Sequence, residues 1–159
     1  MKYARLTKEQ FEEMHQEFIN FLATQSITAE EWENIKTNKP ELAEQELDIF
    51  SDLVWEGVLQ KTAYLENISA QHIYLFKIEA KYFDLIGLKL TKESIDLTTS
   101  EGFGWLRDNL LDDSVEFFTA KKDIPEDKNK AIFELIQQGS HITKGELFEY
   151  FDNLLNLGS

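Results

Sequence analysis

The chain has 159 residues, no cysteine, and 30 Asp and Glu against 16 Lys and Arg, for a net charge of −14. That charge argues against nucleic acid as a direct ligand and against an anionic membrane surface, since both are held by Lys and Arg. The missing cysteines exclude disulfides, thiolate zinc sites and a cysteine nucleophile.

A hydrophobic fraction of 42%, with twelve Phe and three Trp, is enough to fill a core. The length suits one domain spanning residues 1–159. The opening MKYARLTKEQFEEM has no apolar segment of the signal-peptide kind, and no run approaches the ~18 apolar residues of a membrane span. A cytoplasmic protein is the expectation.

In chain order, Thr7 to Gln10 reads as a capping box opening a helix that carries Phe11, Met14, Phe18, Phe21 and Leu22. Thr28 to Glu31 is a second box, before a short helix around Trp32 and Ile35. Pro40 to Lys61 is the longest helical run. Proline suits a first turn, Glu41 and Glu44 favour the positive end of the dipole, and Lys61 favours the negative end. Leu47, Phe50, Val54 and Val58 form an apolar stripe, widened by Ile49, Leu53 and Leu59. Glu41, Gln45, Asp48, Asp52 and Glu56 make a separate line at the same spacing.

From Tyr64 the period changes to two. His72–Ile78 alternates, Glu79–Lys81 permits a turn, Phe83–Leu90 reads as a second strand and Ser94–Thr98 as a third. Helical spacing returns after Ser100 with Trp105, Leu106, Leu110, Leu111 and Val115. Lys121–Lys130 reads as a loop. Two amphipathic helices close the chain: one carries Ile132, Leu135 and Ile136 with Gly139 as its cap, and one follows a third box, Thr143 to Glu146. Residues 139–143 then form a short connection between helices. The expected fold is α+β, with N-terminal and C-terminal helices packed on a small antiparallel sheet of about three strands.

The stretches MKYARLTKEQFEEMHQEFINFLATQSITAEEW and DLTTSEGFGWLRDNLLDDSVEF resemble a family of small uncharacterised bacterial proteins, a domain of unknown function. The resemblance covers nearly the whole chain and implies a cytoplasmic bacterial protein. It carries no activity, cofactor or catalytic residue.

Several constellations bear on function. Glu12 and His15 have the Glu-x-x-His spacing of di-iron bundles, but no second such pair exists. Asp108, Asp112, Asp113 and Glu116 are acids that a hard cation would accept, with Asp108 and Asp112 sharing a face if the helix is unbroken. Gly102-Phe103-Gly104 opens like a dinucleotide fingerprint, but Arg107 stands where the third glycine belongs. Arg107, among acids, reads as an ion-pair partner. Trp32 and Trp55, flanked by acids, are either core residues or apolar anchors at a charged rim.

No cofactor motif is found. The leading expectation is a non-catalytic interaction protein that binds a basic protein surface through Glu41, Asp48, Asp52, Trp55, Glu56, Arg107, Asp108 and Asp112. One alternative is an inhibitor that mimics nucleic acid on a basic protein such as a nuclease. Another is a metal-dependent hydrolase using the Asp108–Glu116 carboxylates. Ordinarily, a charge row of this kind is a solvated face.

Overall fold

The computed structural model describes residues 1–156. The chain forms two compact units, Met1–Gln60 and Lys61 onward. The class is α+β, with seven helices and one five-stranded antiparallel sheet among the described residues. None of those helices is long and apolar enough to cross a membrane.

The first unit is helical: α1 (Lys8–Glu13), α2 (His15–Thr24), α3 (Ala29–Asn38) and α4 (Pro40–Lys61). Thr7 caps α1 through the expected box, its hydroxyl accepting from Gln10 N–H while the Gln10 side chain accepts from Thr7 N–H. The Thr28 hydroxyl likewise accepts from Glu31 N–H at α3. The first helix is not continuous, because it breaks at Met14. α2 ends with Ser26 in the left-handed region at φ 59°, while Ser26 and Ile27 N–H donate back to Ala23 and Leu22 carbonyls. Leu6, Phe18, Leu22 and Phe50 are buried together, with Phe11, Phe21, Trp32, Val54 and Trp55 packed around them. The predicted stripe on α4 is narrower than expected. Phe50 is buried, but Ile49, Leu53 and Val58 are exposed.

The second unit holds the sheet, in the order β4-β3-β2-β1-β5. Its strands are β1 (Tyr64–Ile68), β2 (His72–Ile78), β3 (Tyr82–Leu90), β4 (Val115–Asp123) and β5 (His141–Thr143), with α5 (Ser100–Asp108), α6 (Lys128–Gln137) and α7 (Glu146–Asn156) between and after them. Ile73, Leu75, Ile86 and Leu88 lie on one face and are buried with Leu106 of α5 and Phe148 and Phe151 of α7. On the other face, Phe76, Phe83, Leu85 and Ala120 line a 260 Å³ cavity with Ala131 and Leu135 of α6.

The expected count of three strands is too low. β1 is not among the expected strands, and Ser94–Thr98 is not a strand. There the Asp96 carboxylate accepts from both Thr98 N–H and its hydroxyl, the local side-chain bonding that competes with strand pairing. The expected helix to Val115 stops at Asp108, where Asn109 caps it and donates its side-chain N–H to Trp105 O. Val115–Asp123 is an edge strand, so Lys121–Asp123 belong to the sheet rather than to a loop. His141–Thr143 pairs with β1, so no simple helical hairpin joins α6 to α7. At the end of α6, Gly139 (φ 111°) and Ser140 donate back to Ile136 and Leu135 carbonyls, as the capping role requires. The third box does not form: the Thr143 hydroxyl accepts from Gly145 N–H instead.

Candidate functional site

The acid row on α4 lies along the chain's first residues. Asp52 accepts from Lys2 N–H at 2.7 Å and from Tyr3 N–H at 2.9 Å. The Tyr3 hydroxyl donates to Glu56 at 2.5 Å, and Lys2 Nζ stands 3.7 Å from the same carboxylate. Arg5 bridges Asp48 and Glu44, each at 2.7 Å. Hydrogen bonds to Asp48 and Glu44 raise the Arg5 pKa further above its ordinary value. Burial, then the Glu56 hydrogen bond, raises the Tyr3 phenol. Leu6, buried, donates its N–H to the Ser51 hydroxyl, which itself donates to Leu47 O.

Three of the acids expected to face a partner, Asp48, Asp52 and Glu56, are therefore engaged by an N-terminal strap. Exposed ion pairs contribute little each. The strap is held by its two buried apolar anchors, Tyr3 and Leu6, with the polar contacts fixing its register. Glu41 remains exposed, with no ion pair among the described residues. Trp55 is half-buried against the aromatic cluster, and Trp32 sits edge-on to Phe18 at 5.2 Å with Lys36 over its ring.

A groove of 460 Å³ opens over the same cluster, floored by Phe11, Phe18 and Trp32 and edged by Arg5, Lys8, Glu12, His15 and Lys36. The helix breaks at Met14, between Glu12 and His15.

The second acidic group is dispersed. Asp108 ends α5 and Glu116 lies in β4. Asp112, in the turn between them, accepts from the Ser114 hydroxyl and N–H, which lowers its pKa. Asp108 and Asp112 do not share a helix face. Arg107 is exposed and makes no ion pair among the described residues, contrary to expectation. It stands at the mouth of a 200 Å³ apolar pocket lined by Phe103, Leu106, Leu110 and Phe151.

That pocket shares Phe103, Leu147 and Tyr150 with a larger cleft of 550 Å³, which adds Glu66, Ile68, Lys144 and Glu146. Glu66 projects from β1 opposite His141 of β5. Desolvation raises its carboxyl above the usual range, and the His141 charge offsets part of that. Beside the cleft, Glu149 of α7 accepts from the Tyr64 hydroxyl at 2.7 Å and from Lys77 Nζ at 3.1 Å. These bonds lower the Glu149 pKa and raise those of Tyr64 and Lys77. The trio ties α7 to β1 and β2.

A family model described as a family of unknown function (DUF6495) matches residues 1–156. The chain belongs to that family. The match bears out the resemblance read in the sequence and says nothing about activity. No curated protein and no solved structure matches the chain.

For this DUF6495 chain, two features escaped the sequence reading. The strap joins residues 39 to 54 positions apart, which no local pattern signals. Glu66 lies in a short strand whose alternation, Tyr64-Leu65-Glu66-Asn67-Ile68, was its only trace. No group of three or more His, Cys, Asp or Glu placed to hold a metal occurs among the described residues.

The raised Glu66 pKa has a measurable sign. In the unfolded chain Glu66 ionises at an ordinary carboxylate pKa of about 4.3. In the fold it ionises higher, so folding takes up a proton between the two values and stability falls as pH rises through that window. Glu66→Gln is expected to raise the melting temperature at pH 7 by a few degrees at most. The gain should vanish as pH falls below about 4. Melting curves at the two pH values check it, and an equal gain at both would show that desolvation of the charge is not its source.

Proposed function

We propose that the protein is a non-catalytic interaction protein whose N-terminal unit engages a basic protein surface. The observation that supports this reading is the charge left over after internal pairing. Residues 1–60 hold thirteen Asp and Glu against five Lys and Arg. Of those five, Lys2, Arg5 and Lys36 are already paired to acids of the same unit. Glu9, Glu12, Glu13, Glu17, Glu30, Glu31 and Glu41 are exposed and make no ion pair among the described residues. Like charges kept this close repel one another, and a cationic surface relieves that repulsion.

The partner surface assigned to α4 shifts accordingly. Asp48, Asp52 and Glu56 serve the strap, so the reading rests on α1, α2, α3 and Glu41. The mimicry alternative loses its first stripe for the same reason. The hydrolase alternative loses support from the dispersal of Asp108, Asp112 and Glu116.

The test is affinity capture on the full chain, comparing wild type with an E9K/E12K/E13K variant. Basic proteins retained by the wild type at low salt should be lost by the variant. Affinity for a purified basic partner should also fall about tenfold between low and physiological salt. Recovery of no basic protein at low ionic strength, or retention that the variant leaves unchanged, overturns the proposal.

A further inference from the structure

We propose that two copies of the chain pair edge to edge through β4, antiparallel, with the two-fold axis at Thr119. β4 forms one edge of the sheet and pairs with β3 over nine residues, Val115–Asp123. Sheet edges are ordinarily short, bulged or covered, because a bare row of N–H and C=O groups recruits another strand. Here Phe118 to Asp123 are all exposed, whichever side of the sheet they face.

The free groups can be assigned. Thr91 N–H donates to Ser114 O at 2.9 Å, and Ile124 N–H donates to Lys81 O at 3.2 Å, at the two ends of the β3–β4 ladder. Antiparallel bonding repeats every second residue. The even-numbered residues of β4 therefore bond β3. Val115, Phe117, Thr119, Lys121 and Asp123 turn their backbone groups outward. Of these, Val115 N–H is already engaged by Asp112 O.

Charge selects the occupant and the register. With the axis at Thr119, Glu116 faces Lys122 of the second copy, and Lys122 faces Glu116, so the pair forms twice. Phe118 and Ala120 face each other between these pairs, on the same side of the sheet. Moving the axis to Ala120 sets Phe118 against Lys122 and leaves Glu116 opposite Ile124. Moving it to Phe118 sets Glu116 opposite Ala120. Opposite charges directly across a ladder stabilise it, and like charges destabilise it.

β4 itself is neutral, with Glu116 and Asp123 against Lys121 and Lys122, in a chain of net charge −14. At ~0.15 M salt, where screening acts over about 8 Å, charge far from the seam weighs less on this contact than the charges within it. The inference does not depend on the acids of the N-terminal unit. The test therefore stands apart from the proposed function.

Sedimentation equilibrium of the full chain at concentrations up to about 100 µM reads the result, since that range detects a dimer of micromolar affinity. Wild type should be a dimer. E116K and K122E should each weaken it by about tenfold or more, because each sets like charges across the ladder twice. The double variant E116K/K122E should restore it. Both positions are exposed, and circular dichroism confirms that each variant is folded. A monomeric wild type overturns the proposal. So does a dimer that the single substitutions leave unchanged, or a folded double variant that does not recover.

Discussion

Phe50→Ala is expected to cost the N-terminal unit about 3–5 kcal/mol. Phe50 is 4% exposed and sits where three helices meet. Its ring centroid lies 5.1 Å from Phe18, 5.5 Å from Phe21 and 6.0 Å from Phe11. Phe18 extends the cluster to Trp32. Removing the central ring forfeits its own burial and leaves a void that its three aromatic neighbours cannot close, because rings of fixed shape do not collapse into a gap as aliphatic chains do.

A unit of about 60 residues has little reserve against such a loss. Urea unfolding followed by tryptophan emission checks this. Trp32 and Trp55 pack on the cluster, whereas Trp105 lies with the sheet core. The variant should lose the blue-shifted emission of the first pair at a much lower denaturant concentration. A loss below about 1 kcal/mol would mean that the aromatic cluster does not carry this unit's stability.

What could be read from the sequence follows from what is local. Pro40–Lys61 forms a helix over those residues, because its proline start, dipole charges and apolar spacing all lie within the segment. Thr7, Thr28 and Gly139 act within four residues of themselves and were legible for the same reason. Edge strands were not legible. β4 ends in Lys121-Lys122-Asp123, and an edge strand rich in charge looks like loop composition. β5 has only three residues and exists because β1 offers it a free edge.

The candidate site failed to show itself in a different way. A count of acids on α4 says nothing about which cations reach them. Lys2, Tyr3 and Arg5, more than forty residues away, supply the hydrogen bonds and ion pairs that Asp48, Asp52 and Glu56 accept. Glu66 and His141 meet only through strand pairing. In both cases the chemistry is set by long-range contacts, and the sequence shows only the residue types.

Gly102→Ala and Gly104→Ala are expected to move stability in opposite directions, which separates a packing role for this glycine pair from a ligand-binding one. Gly102 is the third residue of α5, and a Cβ there would stand 1.8 Å from the Asp96 carbonyl oxygen. That oxygen accepts from the Thr99 hydroxyl at 2.8 Å, while the Thr99 hydroxyl accepts from Gly102 N–H at 3.0 Å. The turn is held from its other side, since Leu97 is 2% exposed in the sheet core and its N–H donates to Ala70 O. The clash is with backbone, not with a movable side chain. The methyl can be accommodated only by lifting the turn and Leu97 with it, at a cost of about 1–3 kcal/mol or more. At Gly104 a Cβ would meet nothing within 4 Å, so alanine there gains up to about 1 kcal/mol of helix propensity. Thermal melts of the two variants decide the matter. A dinucleotide-type loop needs the first glycine for its tight turn and the second for close backbone approach to the pyrophosphate, whereas packing needs glycine at Gly102 alone. If Gly104→Ala also destabilised the fold, the packing account of α5 would fail.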